Sequence, residues 1–149
     1  MKKFILTIMA LALVQNIVLS KEIPVKIKPV CKITTCNLNL KEGDTLDFVV
    51  ADDVFINSKL YIKKGQAVSG VATSLKDNNY LIIPAKIYIE NFRTTNVENH
   101  RVKLKGIIYK SGNDHHVFGE IFVFDLLRGG EVQITPEKDE FTIYVEENL

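Results

Sequence analysis

The sequence lacks the short signatures that announce catalysis. It has no G-x-S-x-G elbow, no H-E-x-x-H helix, no phosphate-binding P-loop and no dinucleotide fingerprint. Cysteine and histidine are scarce, two and three residues in all. An excess of one charge is missing too, with 19 Lys and Arg against 18 Asp and Glu. Such a balance gives no electrostatic reason to expect DNA, RNA or an anionic membrane as a partner. Beyond the first twenty residues no apolar stripe at helical spacing outlasts a single turn. No low-complexity linker or composition shift divides the chain. These absences argue against an enzyme, a cofactor, a metal and a nucleic-acid partner.

What is present begins with MKKFILTIMALALVQNIVLSKE. Lys2 and Lys3 form a basic start, and Phe4 to Leu19 is apolar except for Thr7, Gln15 and Asn16. Val18 and Ser20 suit the −3 and −1 positions of a cleavage site, so residues 1–20 read as a secretory signal peptide cut after Ser20. An uncleaved anchor is the alternative, but the apolar run falls short of the ~20 residues that span a bilayer comfortably. A buried N-terminal helix fits the basic start less well. Removing two lysines with the signal leaves 17 basic against 18 acidic residues. The remainder fits one domain, large enough for a core without staples.

Export bears on the cysteines, because disulfides persist outside the cytosol. Cys31 and Cys36 stand in CKITTC and are expected to form one bridge. In a flat strand they would lie about 16 Å apart on opposite faces. A bridge therefore requires Ile33-Thr34-Thr35 to turn or bulge. So short a loop contributes at the low end of the usual ~2–4 kcal/mol. The spacing is not C-x-x-C, a zinc site would need two more ligands, and the position is wrong for a lipid anchor.

Elsewhere the apolar residues recur with period 2. Val25 and Ile27 alternate with lysines, and Leu46, Phe48 and Val50 share a face. Leu60 and Ile62 flank Tyr61, and Ala85, Ile87 and Ile89 alternate with Lys86, Tyr88 and Glu90. Val102 and Leu104 alternate with Arg101, Lys103 and Lys105. Phe118, Phe122 and Phe124 oppose Val117, Ile121 and Val123, and Phe141, Ile143 and Val145 close the series. Such alternation marks half-buried strands. Turn chemistry separates them at 41–44, 63–66, 76–79, 111–114 and 136–139. Asp125 to Arg128 is the best helical candidate, one turn long. The expected fold is all-β, a small antiparallel barrel or sandwich of about seven to nine strands. The domain is placed at 41–149, behind an N-terminal arm at 21–40 that carries the cysteine pair.

KEGDTLDF, KKGQAVSG and RGGEVQIT echo one another, each with a basic residue shortly before glycine and a β-branched or Leu residue after it. Hairpins commonly share that pattern; a duplicated β unit would also produce it. Residues 60–74, LYIKKGQAVSGVATS, resemble a strand–turn–strand segment in the periplasmic β-barrel domain of conjugative type IV secretion core proteins. With RGGEVQITPEKDEFTIYV at 128–145, the chain is also similar to small bacterial exported β-domain proteins. The resemblance spans about residues 40–145 and implies the fold type. A Pro-rich linker and a helical antenna of the secretion proteins have no counterpart here, so a pore is not implied.

The remaining polar candidates are weighed by geometry. Asp114, His115, His116 and Glu120 fall in GNDHHVFGE, but adjacent strand residues point apart, so a solvated hairpin tip is expected rather than a shared metal ion. His100 is expected in a loop, and Asp52 and Asp53 in a turn or at a strand edge rather than as an acid–base pair. IFVFDLL (121–127) is either a strand buried on both faces or an aromatic contact surface. A transmembrane barrel is disfavoured, because its strands need about 9–11 residues with a continuous lipid-facing band. Lysines interrupt such a band here.

The expectation is a non-enzymatic β module, exported to the periplasm or beyond, that binds or braces another envelope component. Its partner would be an envelope protein added at an edge strand, with no stable membrane insertion after signal cleavage. The arm from Lys26 to Cys36, extended by Pro24 and Pro29, is the expected docking segment. An accessory subunit of a secretion or conjugation apparatus is the alternative.

Overall fold

The computed structural model describes residues 22–35, 40–77, 84–112 and 130–145. Phe118 to Arg128, including IFVFDLL and the one-turn helix candidate, lies outside the described residues. The described residues form eleven strands and no helix. They are β1 (Ile23–Pro29), β2 (Ile33–Thr34), β3 (Thr45–Val50), β4 (Val54–Ile56), β5 (Lys59–Ile62), β6 (Ala67–Lys76), β7 (Lys86–Thr95), β8 (Arg101–Lys105), β9 (Ile108–Ser111), β10 (Gln133–Ile134) and β11 (Phe141–Val145). Six of them close an antiparallel barrel in the order β6-β3-β1-β11-β8-β7, with β7 returning to β6. Two small sheets, β2–β10 and β4–β5, are added to it and raise the strand count above the expected seven to nine.

The alternation read from the sequence becomes the two faces of the barrel wall. Val25, Ile27, Phe48, Val50, Ile87, Ile89, Val102, Leu104, Ile143 and Val145 are buried inside. Their lysine, arginine and tyrosine neighbours face out. Phe48 and Phe92 meet edge to face in the core, ring centroids 5.8 Å apart at 75°. Such a contact adds about 0.5–1.5 kcal/mol to the burial of the rings. Gly70 is what lets Phe92 in: a Cβ there would stand 2.6 Å from Phe92 Cε1 and 3.0 Å from Ile89 Cγ2.

Curvature comes from bulges. Arg93 faces Ser69 and Glu90 faces Val71, so three steps on β7 match two on β6, with Asn91 at φ 57° as the extra residue. On the other edge of β7, Phe92 faces Leu104 and Ile89 faces Ile108. Here four steps match three, and Gly106-Ile107 holds the surplus. β8 and β9 are therefore one bent stave in two pieces. Bulges of this kind bend a strand and sharpen its twist, as a small barrel requires.

The arm expected at 21–40 is corrected by the structure. Residues 23–29 are a stave of the barrel, paired with β11 from Ile23 to Ile27 and with β3 from Ile27 to Pro29. Strict alternation of buried and exposed positions outweighed the two prolines. Each proline falls where the stave is paired along one edge only, so its missing N–H breaks no two-sided ladder. Residues 33–35 then lock onto the far end of the chain. Thr35 N–H donates to Val132 O (3.2 Å), and Val132 N–H donates to Thr35 Oγ1 (3.1 Å). Ile33, Val132 and Ile134 join the core.

The sequence echo has a geometric counterpart in its first two members. Gly43 N–H donates to Ala72 O (2.7 Å) and Ala72 N–H to Asp44 O (2.9 Å). Gly65 N–H donates to Val50 O (2.8 Å) and Val50 N–H to Gln66 O (2.9 Å). The two turns thus sit at opposite ends of the β3–β6 pair and make equivalent bonds, related by a local two-fold axis. Gly43 (φ 94°) and Gly65 (φ 81°) supply the left-handed residue in each. In this relation Phe48 corresponds to Gly70: one half supplies the ring, the other the space.

One turn escaped the sequence reading. Asn57 and Ser58 join β4 to β5 with φ of 51° and 64°, the signature of a type I′ hairpin usually written Asn-Gly. Ser58 is exposed and holds a conformation that favours glycine, so Ser58→Gly is expected to raise stability by about 0.5–1 kcal/mol, measured by urea denaturation. Gly70→Ala is expected to lower it by about 1–3 kcal/mol, because neither Phe92 nor Ile89 can retreat in a closed barrel; an unchanged midpoint would show that the ring has room.

Candidate binding surface

The polar residues singled out in the sequence are mostly structural. Asp53 Oδ1 accepts the N–H of Lys64 at 2.7 Å, and Asp52 lies 3.5 Å from Lys26 Nζ. The two carboxylates serve different neighbours and form no acid–base pair. Lys26 also pairs with Glu140 (3.5 Å), which pairs in turn with Lys28 (3.4 Å). Glu140 first, then Asp52, holds the Lys26 ammonium above its ordinary pKa. His100 lies in the loop after β7, where buried Asn96 accepts through Oδ1 from Glu98 N–H (3.0 Å) and His100 N–H (2.9 Å). Cys31 is an exposed thiol, while Cys36 lies outside the described residues. Ile33-Thr34 is extended and the turn comes at Thr35. Asp114, His115, His116 and Glu120 also lie outside them. Among the described residues no three His, Cys, Asp or Glu side chains converge on one point.

The feature that stands out is the outer face of β7, β8 and β9. Lys86, Tyr88, Glu90 and Arg93 point outward from β7, Arg101, Lys103 and Lys105 from β8, and Tyr109 from β9. Arg93 lies directly opposite Lys103, Thr95 opposite Arg101, and Tyr144 of β11 opposite Lys105. Like charges across a ladder repel. Even so, among the described residues these five cations share the face with a single carboxylate, Glu90, and the ion pairs involve none of them. Lys76 of β6 stands opposite Lys86 and extends the basic row. Between β6 and β7 runs a groove of about 350 Å³ lined by Thr73, Ser74, Lys76, Lys86, Tyr88 and Glu90.

Apolar groups interrupt the charge. Tyr88 and Tyr109 are cross-strand neighbours with ring centroids 4.9 Å apart. Ile107, lifted by the bulge, is 64% exposed, the most exposed large apolar side chain described. The sequence carried part of this pattern, since Arg101, Lys103 and Lys105 alternate visibly with buried residues. Summing charge over the whole chain concealed it. Pairing β7 with β8 brings the cations together, and pairing β7 with β9 brings the tyrosines together. No protein-family model, curated protein or solved structure matches the chain.

One lysine of this region behaves differently. Lys110 of β9 alternates toward the inner side, where β9 has bent away from β11, and its ammonium meets the Asp139 carboxylate. Asp139 Oδ2 also accepts the N–H of Thr135 at 2.7 Å. Burial alone would raise the Asp139 pKa, but the Lys110 hydrogen bond, the Thr135 N–H and the Lys110 charge outweigh it and hold the carboxyl below its ordinary value. A depressed folded pKa adds stability above the unfolded value of about 3.8, and that stability is lost as pH falls through the folded pKa. Asp139→Asn is therefore expected to cost about 2 kcal/mol at neutral pH, the scale of a hydrogen bond to a charged group. In denaturation across the acid range the gap to the unsubstituted protein should narrow once pH drops below the ordinary carboxyl value. A gap independent of pH would assign the loss to packing.

Proposed function

We propose that this protein is a non-enzymatic module of a bacterial-type cell envelope, exported by its first twenty residues, that binds or braces another envelope component through the outer face of β7, β8 and β9. One observation carries this reading: five cations without ion-pair partners among the described residues, next to exposed Ile107 and Tyr109, on one wall of a closed barrel. Side chains that serve only solubility are usually interspersed with the opposite sign, as on β1, where Lys26 and Lys28 meet Asp52 and Glu140. A wall that leaves its own charges unmatched favours an external partner of opposite sign.

Closure of the barrel limits the other route to a partner. β1, β3, β6, β7, β8 and β11 are each paired along both edges over part of their length, so among the described strands those paired along a single edge, where an envelope protein would add a strand, are β9, at the end of the sheet, and the members of the two small sheets. The signal-like start supports export, and a Cys31–Cys36 bridge formed there would tie the turn at Thr35 beside its bonds to Val132. The test is the intact mass of protein recovered from cell fractions, alkylated with and without prior reduction. The expected result is an envelope-fraction protein that starts at Lys21 and gains two labels only after reduction. A cytosolic protein that retains Met1 and labels freely would overturn the reading.

A further inference from the structure

We infer that the face formed by β7, β8 and β9 docks on the anionic headgroups of a lipid bilayer. This rests on the proposed envelope role and names the component bound. The charge is distributed rather than focused. Arg93 and Lys103 face each other, with Arg101 and Lys105 farther along β8 and Lys86 at the other end of β7. Lys86 lines the open groove between β6 and β7, and the other four cations lie outside its lining. A row spread over the wall of a barrel matches a surface of many anions instead, with each cation near the membrane strengthening attraction. The apolar groups fit the same partner. Ile107 stands clear of the wall at 64% exposure, and Tyr109, 49% exposed, packs against Tyr88 with the rings tilted at 40°. An aliphatic tip and tyrosine rings next to cations are the composition of a membrane–water interface. A soluble polyanion would engage the cations and leave Ile107 without a role. Among the described residues Glu90 is the one carboxylate on the face; Glu98, in the neighbouring loop, lies 3.4 Å from His100 Nδ1.

Docking of this kind is peripheral. No described strand offers a continuous apolar outer band, and the barrel interior is filled by its own side chains. The bilayer supplies charge, and the bulge that carries Ile107 reaches the headgroup boundary.

The experiment is sedimentation of the envelope-recovered protein with vesicles of phosphatidylcholine alone or mixed equally with phosphatidylglycerol. Binding is expected to the mixed vesicles only and to weaken as salt is raised. The double variant Arg93→Ser with Lys103→Ser should bind about thirtyfold more weakly, two cations each contributing the affinity typical of a membrane-proximal lysine. Ile107→Ser should weaken vesicle binding and leave retention on a soluble sulfated polysaccharide unchanged. Lys28→Ser removes a cation that is already paired on another strand and should change neither. All these positions are exposed, and circular dichroism checks that each variant keeps its β spectrum. Equal binding to neutral vesicles, or no loss in the double variant, would overturn the inference. So would an Ile107→Ser variant that binds vesicles as the original does. An envelope-located protein that ignores phosphatidylglycerol would refute lipid docking and keep the envelope role; a cytosolic protein would refute the role itself.

Discussion

The barrel depends on the closing pair of β6 and β7, and that pair depends on a space. Phe92 turns inward from β7 over Gly70 of β6 and meets the edge of Phe48 from β3. Three staves are fixed by one aromatic contact and the absence of one methyl group. The bulges at Asn91 and Thr73 let two ten-residue strands stay paired while they curve around this contact. Thr94, next in line on the inner face, keeps its hydroxyl satisfied by donating to Ala67 O at 2.7 Å. The closing seam is therefore apolar where it is deep and hydrogen-bonded where a polar side chain turns in, as a buried wall must be.

The local two-fold relation between the 41–50 and 63–72 segments gives that seam its origin in sequence. Both start with a lysine, a glycine turn and an alternating strand, and both cap the far end of the other. They differ at the one place where symmetry would fail. A phenylalanine at position 70 to match Phe48 would collide with Phe92, since even a Cβ there meets the Phe92 ring. The departure from repetition is the packing solution.

Much of the fold was legible because a strand with one buried face writes its orientation into every second residue. The β1, β3, β7, β8 and β11 alternations were read correctly for this reason, as were the glycine turns at 43 and 65, where a left-handed residue is required. Misreadings came where a local rule met a tertiary override. Pro24 and Pro29 suggested an arm, yet half-paired stave ends tolerate them. Asn57-Ser58 hid its turn by carrying serine where glycine is customary. The basic face was legible only in part, for a different cause: total charge is a sum, and a surface field depends on which strands become neighbours. Arg93 and Lys103 are ten positions apart in the chain and adjacent only after β7 meets β8.

The pairing of β1 with β11 sets the order of events in the life of the chain. Ile23 lies against Val145, so the first stave has one neighbour, β3, that follows it closely and another made from nearly the last residues. β2 repeats the arrangement through Thr35 and Val132. A ladder of such long sequence separation cannot form on a partly delivered chain, and non-local pairing is slow even on a complete one. During synthesis the wall therefore keeps a gap between β1 and β8 until β11 has been made.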